Sequence, residues 1–236
     1  MDVAIVGGTG TVGAEAAREL TARGHRVRVL ARTAREFPVD LVTGSGLTRA
    51  LEGVDVVIDA AQGGRDVLVG GCARLLAAER AAGVAHHVAI SIIGIDRVGG
   101  RYYRTKLEQE AAVQAGGVPW TIVRASQFHT LVARAFSASA RFGVVPSVPV
   151  PLQPVDPREV GRVLAATAEA EPSFAITQFA GPEVVSVREL AHRWRRQTGS
   201  HAVPLRLPVP RTLRSGGLTN PGAWRGQVTF DSWLGS

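Results

Sequence analysis

Short runs of β-branched apolar residues alternate with longer amphipathic stretches through the first half of the chain, and glycine-containing turns separate them. The apolar runs predict strands at residues 3–6, 26–30, 39–42, 54–59, 87–92 and 121–123. Apolar positions recurring near the helical period predict helices over 12–23, 47–51, 67–82, 103–115 and 128–141. Gly24, Gly83 and Gly116 each follow such a stretch, where a helix is commonly closed by a left-handed residue. Strands and helices that alternate in this way bury both faces of a sheet. The pattern therefore predicts an α/β fold, a doubly wound parallel sheet of Rossmann type.

After Gly143 the texture changes to segments punctuated by Pro146, Pro149, Pro151, Pro154 and Pro157, which cannot be central strands or helix interiors. Order returns with a helix over 158–168, a strand over 174–179 and a helix opened by Ser186. Glu189, three residues on from Ser186, completes the pattern of a capping box. We read residues 1–236 as a single domain: a dinucleotide-binding core over 1–143 and a smaller substrate-binding region over 144–236 packed on it. No repeat of solenoid period and no low-complexity linker interrupts it.

Composition narrows the function classes. Hydrophobic residues at 45% and charged residues at 20% are those of a folded globular chain rather than a disordered one. The one cysteine, Cys72, has no intrachain partner, and no Cys/His spacing suggests a zinc site, so a reducing, cytoplasmic setting is expected and no metal is predicted. The first apolar run is broken at once by glycines and reads as a strand rather than a signal segment, and no run is long enough to span a bilayer. A net charge of +7 would suit nucleic acid, but the arginines are scattered rather than striped. The partner expected is a small-molecule substrate, with no nucleic acid and no membrane; an oligomer is compatible with the sequence. Lys106 is the only lysine among 27 lysine and arginine residues, as if an ammonium were needed there.

The segment Gly7-Gly8-Thr9-Gly10-Thr11-Val12-Gly13 lies between the first predicted strand and the first predicted helix. There Gly7 permits a sharp turn, Gly10 lets a pyrophosphate approach the backbone, and Gly13 lets helix pack closely on strand. The N–H groups of Thr11 and Val12 would meet the phosphates at the positive end of the helix dipole. At the end of the second strand an acidic residue would select NAD. This chain has Leu30-Ala31-Arg32-Thr33 instead, and Arg32 can pair with the 2′-phosphate of NADP(H).

Tyr102 and Lys106, four residues apart at the start of a predicted helix, share one face. An ammonium beside a phenol would lower its pKa toward neutrality and ready it to protonate a carbonyl oxygen as hydride arrives, while also bonding the nicotinamide ribose. Tyr103, three residues before Lys106, is the other candidate phenol. His129 can donate a proton or shape a pocket wall. His86 and His87 lack nearby metal ligands in sequence.

These motifs, together with Ser91-Ile92-Ile93-Gly94-Ile95-Asp96, Tyr102-Tyr103-Arg104-Thr105-Lys106, Trp120-Thr121-Ile122-Val123-Arg124-Ala125-Ser126-Gln127-Phe128 and Ala180-Gly181-Pro182, resemble an atypical short-chain dehydrogenase/reductase of the NmrA-like, NAD(P)-binding family over essentially the whole length. The resemblance implies a cofactor along the strand ends, with Gly7, Thr9, Gly10, Thr11, Val12, Gly13 and Lys106 against it and Ala60, Ala61 and Gln62 beside its adenosine-ribose side. It also implies that Gln127, Phe128 and His129 border the nicotinamide and substrate. Relatives with the full catalytic set carry Ser or Thr where Ile92 stands, so Ser91 substitutes only if the strand bulges.

The function expected is an NADPH-dependent reductase of a small, mostly apolar carbonyl compound or quinone, with Tyr102 and Lys106 assisting protonation. The alternative is a non-catalytic NADP(H)-sensing regulator of NmrA type. An epimerase or dehydratase retaining its cofactor fits Arg32 and Ile92 less well.

Overall fold

The computed structural model describes residues 1–236. In chain order the elements are β1 (Asp2–Val6), α1 (Thr11–Ala22), β2 (Arg26–Ala31), β3 (Phe37–Pro38), α2 (Leu47–Leu51), β4 (Val56–Asp59), a π-helical turn (Asp66–Gly71) running into α3 (Cys72–Ala82), β5 (His86–Ile92), α4 (Arg101–Ala115), β6 (Trp120–Ala125), α5 (His129–Ala140), β7 (Val144–Pro146), β8 (Pro151–Leu152), α6 (Pro157–Glu169), β9 (Ile176–Ala180), β10 (Val185–Ser186), α7 (Val187–Thr198), β11 (Val203–Leu205), α8 (Arg211–Arg214), β12 (Trp224–Arg225) and α9 (Phe230–Leu234). No helix is long and apolar enough to cross a membrane. The chain divides into two interleaved compact units. One holds Met1–Ser91, Gly100–Arg124 and Val160–Thr177; the other holds Ile92–Gly99, Ala125–Glu159 and Gln178–Ser236. Position 143, the sequence boundary, is not one of the crossing points.

The first unit carries the Rossmann-type sheet, in the order β6-β5-β4-β1-β2-β3. Strand β1 runs parallel to β2 and β4, β4 to β5, and β2 to β3. Its strands are apolar because both faces are covered: Val3, Ala4 and Ile5 have no solvent exposure. Leu30, Leu51, Val57, Leu75, Leu76, Val113 and Ile122 form the core on one side. Helix α6 returns to this unit, where Gly161 lies so near α1 that a Cβ would sit 2.6 Å from the Glu15 Cβ. Glycine there allows the two helices to cross closely.

Two expectations are corrected in this unit. Residues 39–42 are not a strand: Val39 and Leu41 are buried, but Asp40 turns the backbone, its Oδ1 accepting from Val42 N–H at 2.7 Å and its carbonyl from Gly44 N–H at 2.8 Å. The strand forms earlier, at Phe37–Pro38, where an edge tolerates proline. Gly116 keeps right-handed helical angles, and Gly117 instead takes the left-handed turn at φ +71°.

The second unit has its own apolar cluster, in which Val132, Phe136, Val145, Leu190, Trp194 and Phe230 meet. Here β8 pairs antiparallel with β10, β7 parallel with β11, and the end of β9 with β12. The glycine of Ala180-Gly181-Pro182 is required sterically, since any Cβ at Gly181 would overlap the Pro154 carbonyl. Ser186 caps α7, its Oγ accepting from Glu189 N–H at 3.2 Å, while the Glu189 carboxylate pairs with Arg193 rather than reaching back to complete the box.

Candidate active site

The glycine turn between β1 and α1 has the shape the sequence predicted. Gly7 takes φ +71°, and a Cβ on it would lie 2.5 Å from the Ala60 carbonyl oxygen. A Cβ on Gly13 would run into the Gly7 carbonyl, with the Gly7 carbonyl carbon 2.9 Å away. Gly10 is the extended N-cap of α1, exposed and without a side-chain cap, and no acidic residue stands in the first turn. The N–H groups of Thr11, Val12 and Gly13 therefore face outward without intrahelical acceptors, as at any helix start. Thr9 is exposed beside them. Such a cradle of backbone donors, open, uncharged by acids and backed by a helix dipole, fits the diphosphate of a dinucleotide.

The turn after β4 lies against this cradle. Ala60 N–H donates to Val6 O at 3.0 Å, and Ala60 and Ala61 are buried there, while Gln62 is exposed. Arg32 projects into solvent immediately after β2, with no ion pair or hydrogen bond of its own. Its guanidinium is thus available to an anion.

Lys106 is where the structure departs most from the sequence reading. Its ammonium is buried, donating to Ile90 O at 2.8 Å and to Gln109 Oε1 at 2.6 Å. Gln109 Nε2 in turn donates to Asp59 Oδ2 at 2.9 Å, and Asp59 Oδ1 accepts from Ala61 N–H at 3.0 Å. A continuous chain of hydrogen bonds thus joins the lysine to the backbone of the turn after β4. Burial lowers the Lys106 pKa, against the pull of Asp59 and Glu110. An ammonium has three donors, so one N–H is uncommitted.

Neither phenol bonds to that ammonium. Tyr102 is 46% exposed and meets Tyr103 edge to face, with ring centroids 6.0 Å apart. The expected lowering of the tyrosine pKa is corrected: burial and the neighbouring Tyr103 raise Tyr102 above the ordinary phenol value, and burial raises Tyr103. The cause is direction. Helical spacing put the residues on one stripe, but the lysine is drawn inward to Gln109. Strand β5 runs unbroken from His86 to Ile92, so Ser91 faces away from the side of Ile92. Its buried Oγ has no hydrogen-bond partner.

The residues assigned to the substrate lie in the second unit. Gln127 is held at both ends, Nε2 donating to Leu218 O at 3.0 Å and Oε1 accepting from Gln153 N–H at 3.3 Å. His129 is fully buried, its Nε2–H on Val228 O at 3.0 Å and its ring 5.6 Å from those of Phe230 and Trp233. Phe128 is partly exposed. Geometry gives Gln127 and His129 packing partners and leaves Phe128 as the group presenting a surface.

Burial holds the His129 pKa below its ordinary value. The unfolded chain, with a histidine near about 6.5, binds a proton that the fold excludes. The stability tied to His129 is therefore present above that pH and is lost as pH falls through it toward the folded value. Thermal unfolding followed from about pH 8 to pH 5 is expected to show that loss, with a shallower slope for His129→Phe.

Asp59 and Gln109 were missed in the sequence. Signals existed: Gln109 is three residues from Lys106 on one helix, and Asp59 closes a strand at the edge where such sheets bind ligands.

A parallel sheet whose first turn is this cradle defines a dinucleotide-binding protein. The model of the NAD(P)H-binding family matches residues 7–136, and the chain belongs to that family. It is an enzyme that uses NAD(P)(H) as its redox cofactor. Over 223 residues, 87% of this chain and 76% of the other, it is 33% identical to a (4-alkanoyl-5-oxo-2,5-dihydrofuran-3-yl)methyl phosphate reductase of Streptomyces griseus subsp. griseus. Among solved structures it resembles an NADPH-dependent quinone oxidoreductase of Escherichia coli in complex with NADPH, with TM-score 0.81, 17% identity and coverage of 99% of this chain and 98% of that one. It also resembles a nucleoside-diphosphate-sugar epimerase of Staphylococcus aureus, with TM-score 0.79, 13% identity and full coverage of both chains. These two likenesses concern the fold.

Proposed function

We propose that this chain is an NADPH-dependent reductase of a small conjugated carbonyl compound, an enone or a quinone, within the NmrA-like branch of its superfamily. The observation that carries the reading is Lys106: a buried ammonium, fixed by two acceptors with one N–H to spare, in the same unit as the glycine cradle. The reductase relative supports it, since the compound in its name contains a ring carbonyl conjugated to a carbon–carbon double bond. Quinones share that electron-poor system.

When bound, the nicotinamide nucleotide supplies a hydride. The amides of Thr11, Val12 and Gly13 would hold its diphosphate, Arg32 its 2′-phosphate and the spare N–H of Lys106 its ribose hydroxyls. Tyr102, its phenol protonated at neutral pH, would give its proton to the substrate oxygen as the acceptor gains the hydride. Its exposure lets solvent return the proton. A conjugated acceptor needs little acid assistance, which suits a chain with Ile92 where relatives carry a hydroxyl.

The test follows NADPH absorbance with a panel of enones, quinones and aromatic ketones. Turnover is expected, with kcat falling by about 10²-fold for Tyr102→Phe on ketones, less on quinones, and less for Tyr103→Phe. Tight NADPH binding without turnover across the panel would overturn the reductase reading in favour of a sensor. Arg32→Ala is expected to weaken NADPH about tenfold, or about 1.4 kcal/mol, and to leave NADH unchanged in a binding titration.

A further inference from the structure

The hydrogen-bonded chain from Ala61 to Lys106 passes through Asp59, and beside that carboxylate the first unit gathers two side chains, Cys72 and His87, that cofactor binding and reduction do not use. Asp59 closes β4, Cys72 opens α3 and His87 lies on β5; none is more than 1% exposed. Each offers one donor atom, and the three atoms lie within 4.8 Å of one another. His87 Nδ1 sits 2.9 Å from both oxygens of the fully buried Glu79 carboxylate. Its other nitrogen, Nε2, is buried without any hydrogen-bond partner.

That combination is specific. A carboxylate on one imidazole nitrogen fixes the tautomer and ring orientation and leaves the lone pair of the other nitrogen directed at a ligand, the arrangement found behind metal-bound histidines. An apolar setting would instead leave a buried ring nitrogen orphaned at a free-energy cost. Both Asp59 oxygens already accept one N–H, but each keeps a further lone pair.

We propose that Asp59, Cys72 and His87 form a buried site for a divalent ion of the zinc class, with Glu79 as the residue that orients His87. One oxygen, one sulfur and one nitrogen donor suit tetrahedral zinc, with the fourth position left to water. Bond lengths of about 2.0 to 2.3 Å place tetrahedral donors about 3.5 Å apart, so closing the site needs shifts of about 1 Å. In the empty site, burial, Asp59 and Glu79 push the Cys72 thiol up, so it is protonated. Burial opposes the His87 cation, but Glu79 and Asp59 outweigh it and raise that pKa. Binding releases the thiol proton and any proton shared on the imidazole, so affinity falls in acid. An ion there would fasten α3 to β4 and β5, independently of which substrate the enzyme reduces.

The full-length protein is produced in zinc-supplemented medium, and separately refolded with Co²⁺ to bypass slow entry into a closed core. Stoichiometric zinc is expected, and the cobalt form should show tetrahedral visible bands with a thiolate-to-cobalt charge-transfer band. Cys72 is the only cysteine, so that band identifies the ligand. Cys72→Ala should lose the band and bind cobalt at least tenfold more weakly. Wild-type protein that takes up no metal by either route, or binds cobalt without the thiolate band, overturns the proposal even if the variant fails to fold.

Discussion

Gly13→Val is expected to weaken NADPH binding by at least about 100-fold, or about 2.7 kcal/mol, in a fluorescence titration. The Gly13 position has no room for a side chain: the Gly7 carbonyl group occupies the space, with Gly8 Cα 3.0 Å from the ideal Cβ. All three contacts are backbone, which cannot rotate aside. The start of α1 must therefore lift from the β1 turn, and the amides of Thr11 and Val12 move with it. Charge-assisted bonds to a diphosphate depend on donor distance and direction, so the binding loss should exceed the stability loss. A titration showing near wild-type affinity in a folded variant would remove the diphosphate from the glycine turn.

Glu110→Ala is expected to destabilise the fold by about 3 to 5 kcal/mol. Arg124 on β6 meets Glu110 on α4 in a two-pronged pair, Nε to Oε1 at 2.9 Å and Nη2 to Oε2 at 2.7 Å, with both side chains buried. The substitution removes a two-pronged, charge-assisted pair from the interior, where its loss costs more than that of an exposed pair. For a chain of this length the melting midpoint should drop on the order of 10 °C. Glu110→Gln, which keeps an acceptor without the charge, should fall less. A drop of only a degree or two would mean that the pair is solvated.

The sites of the fold differ in how far the chain itself revealed them. The glycine turn was legible because its backbone requirements are local: a strand, three spaced glycines and a helix start occupy consecutive residues. The Ser186 cap was legible for the same reason. Residues 39–42 were misread because Val39 and Leu41 supply strand-like alternation, whereas Asp40 supplies turn chemistry and won locally. At Tyr102 and Lys106 the spacing was read correctly and the direction was not. Helical geometry places two residues on a stripe, but burial of an ammonium requires acceptors, and these came from Gln109, the Ile90 carbonyl and, one bond further, Asp59.

By itself the sequence determined the alternation of strand and helix, the parallel sheet and the dinucleotide cradle, because period and backbone freedom are properties of neighbouring residues. Only the tertiary structure decided which polar groups lie inside and what they face. It turned Lys106 inward, gave Gln127 and His129 internal partners, and brought Asp59, Cys72 and His87 together from three separate elements. A buried polar group must be satisfied by whatever packs against it, and that neighbour is chosen by the fold rather than by position along the chain.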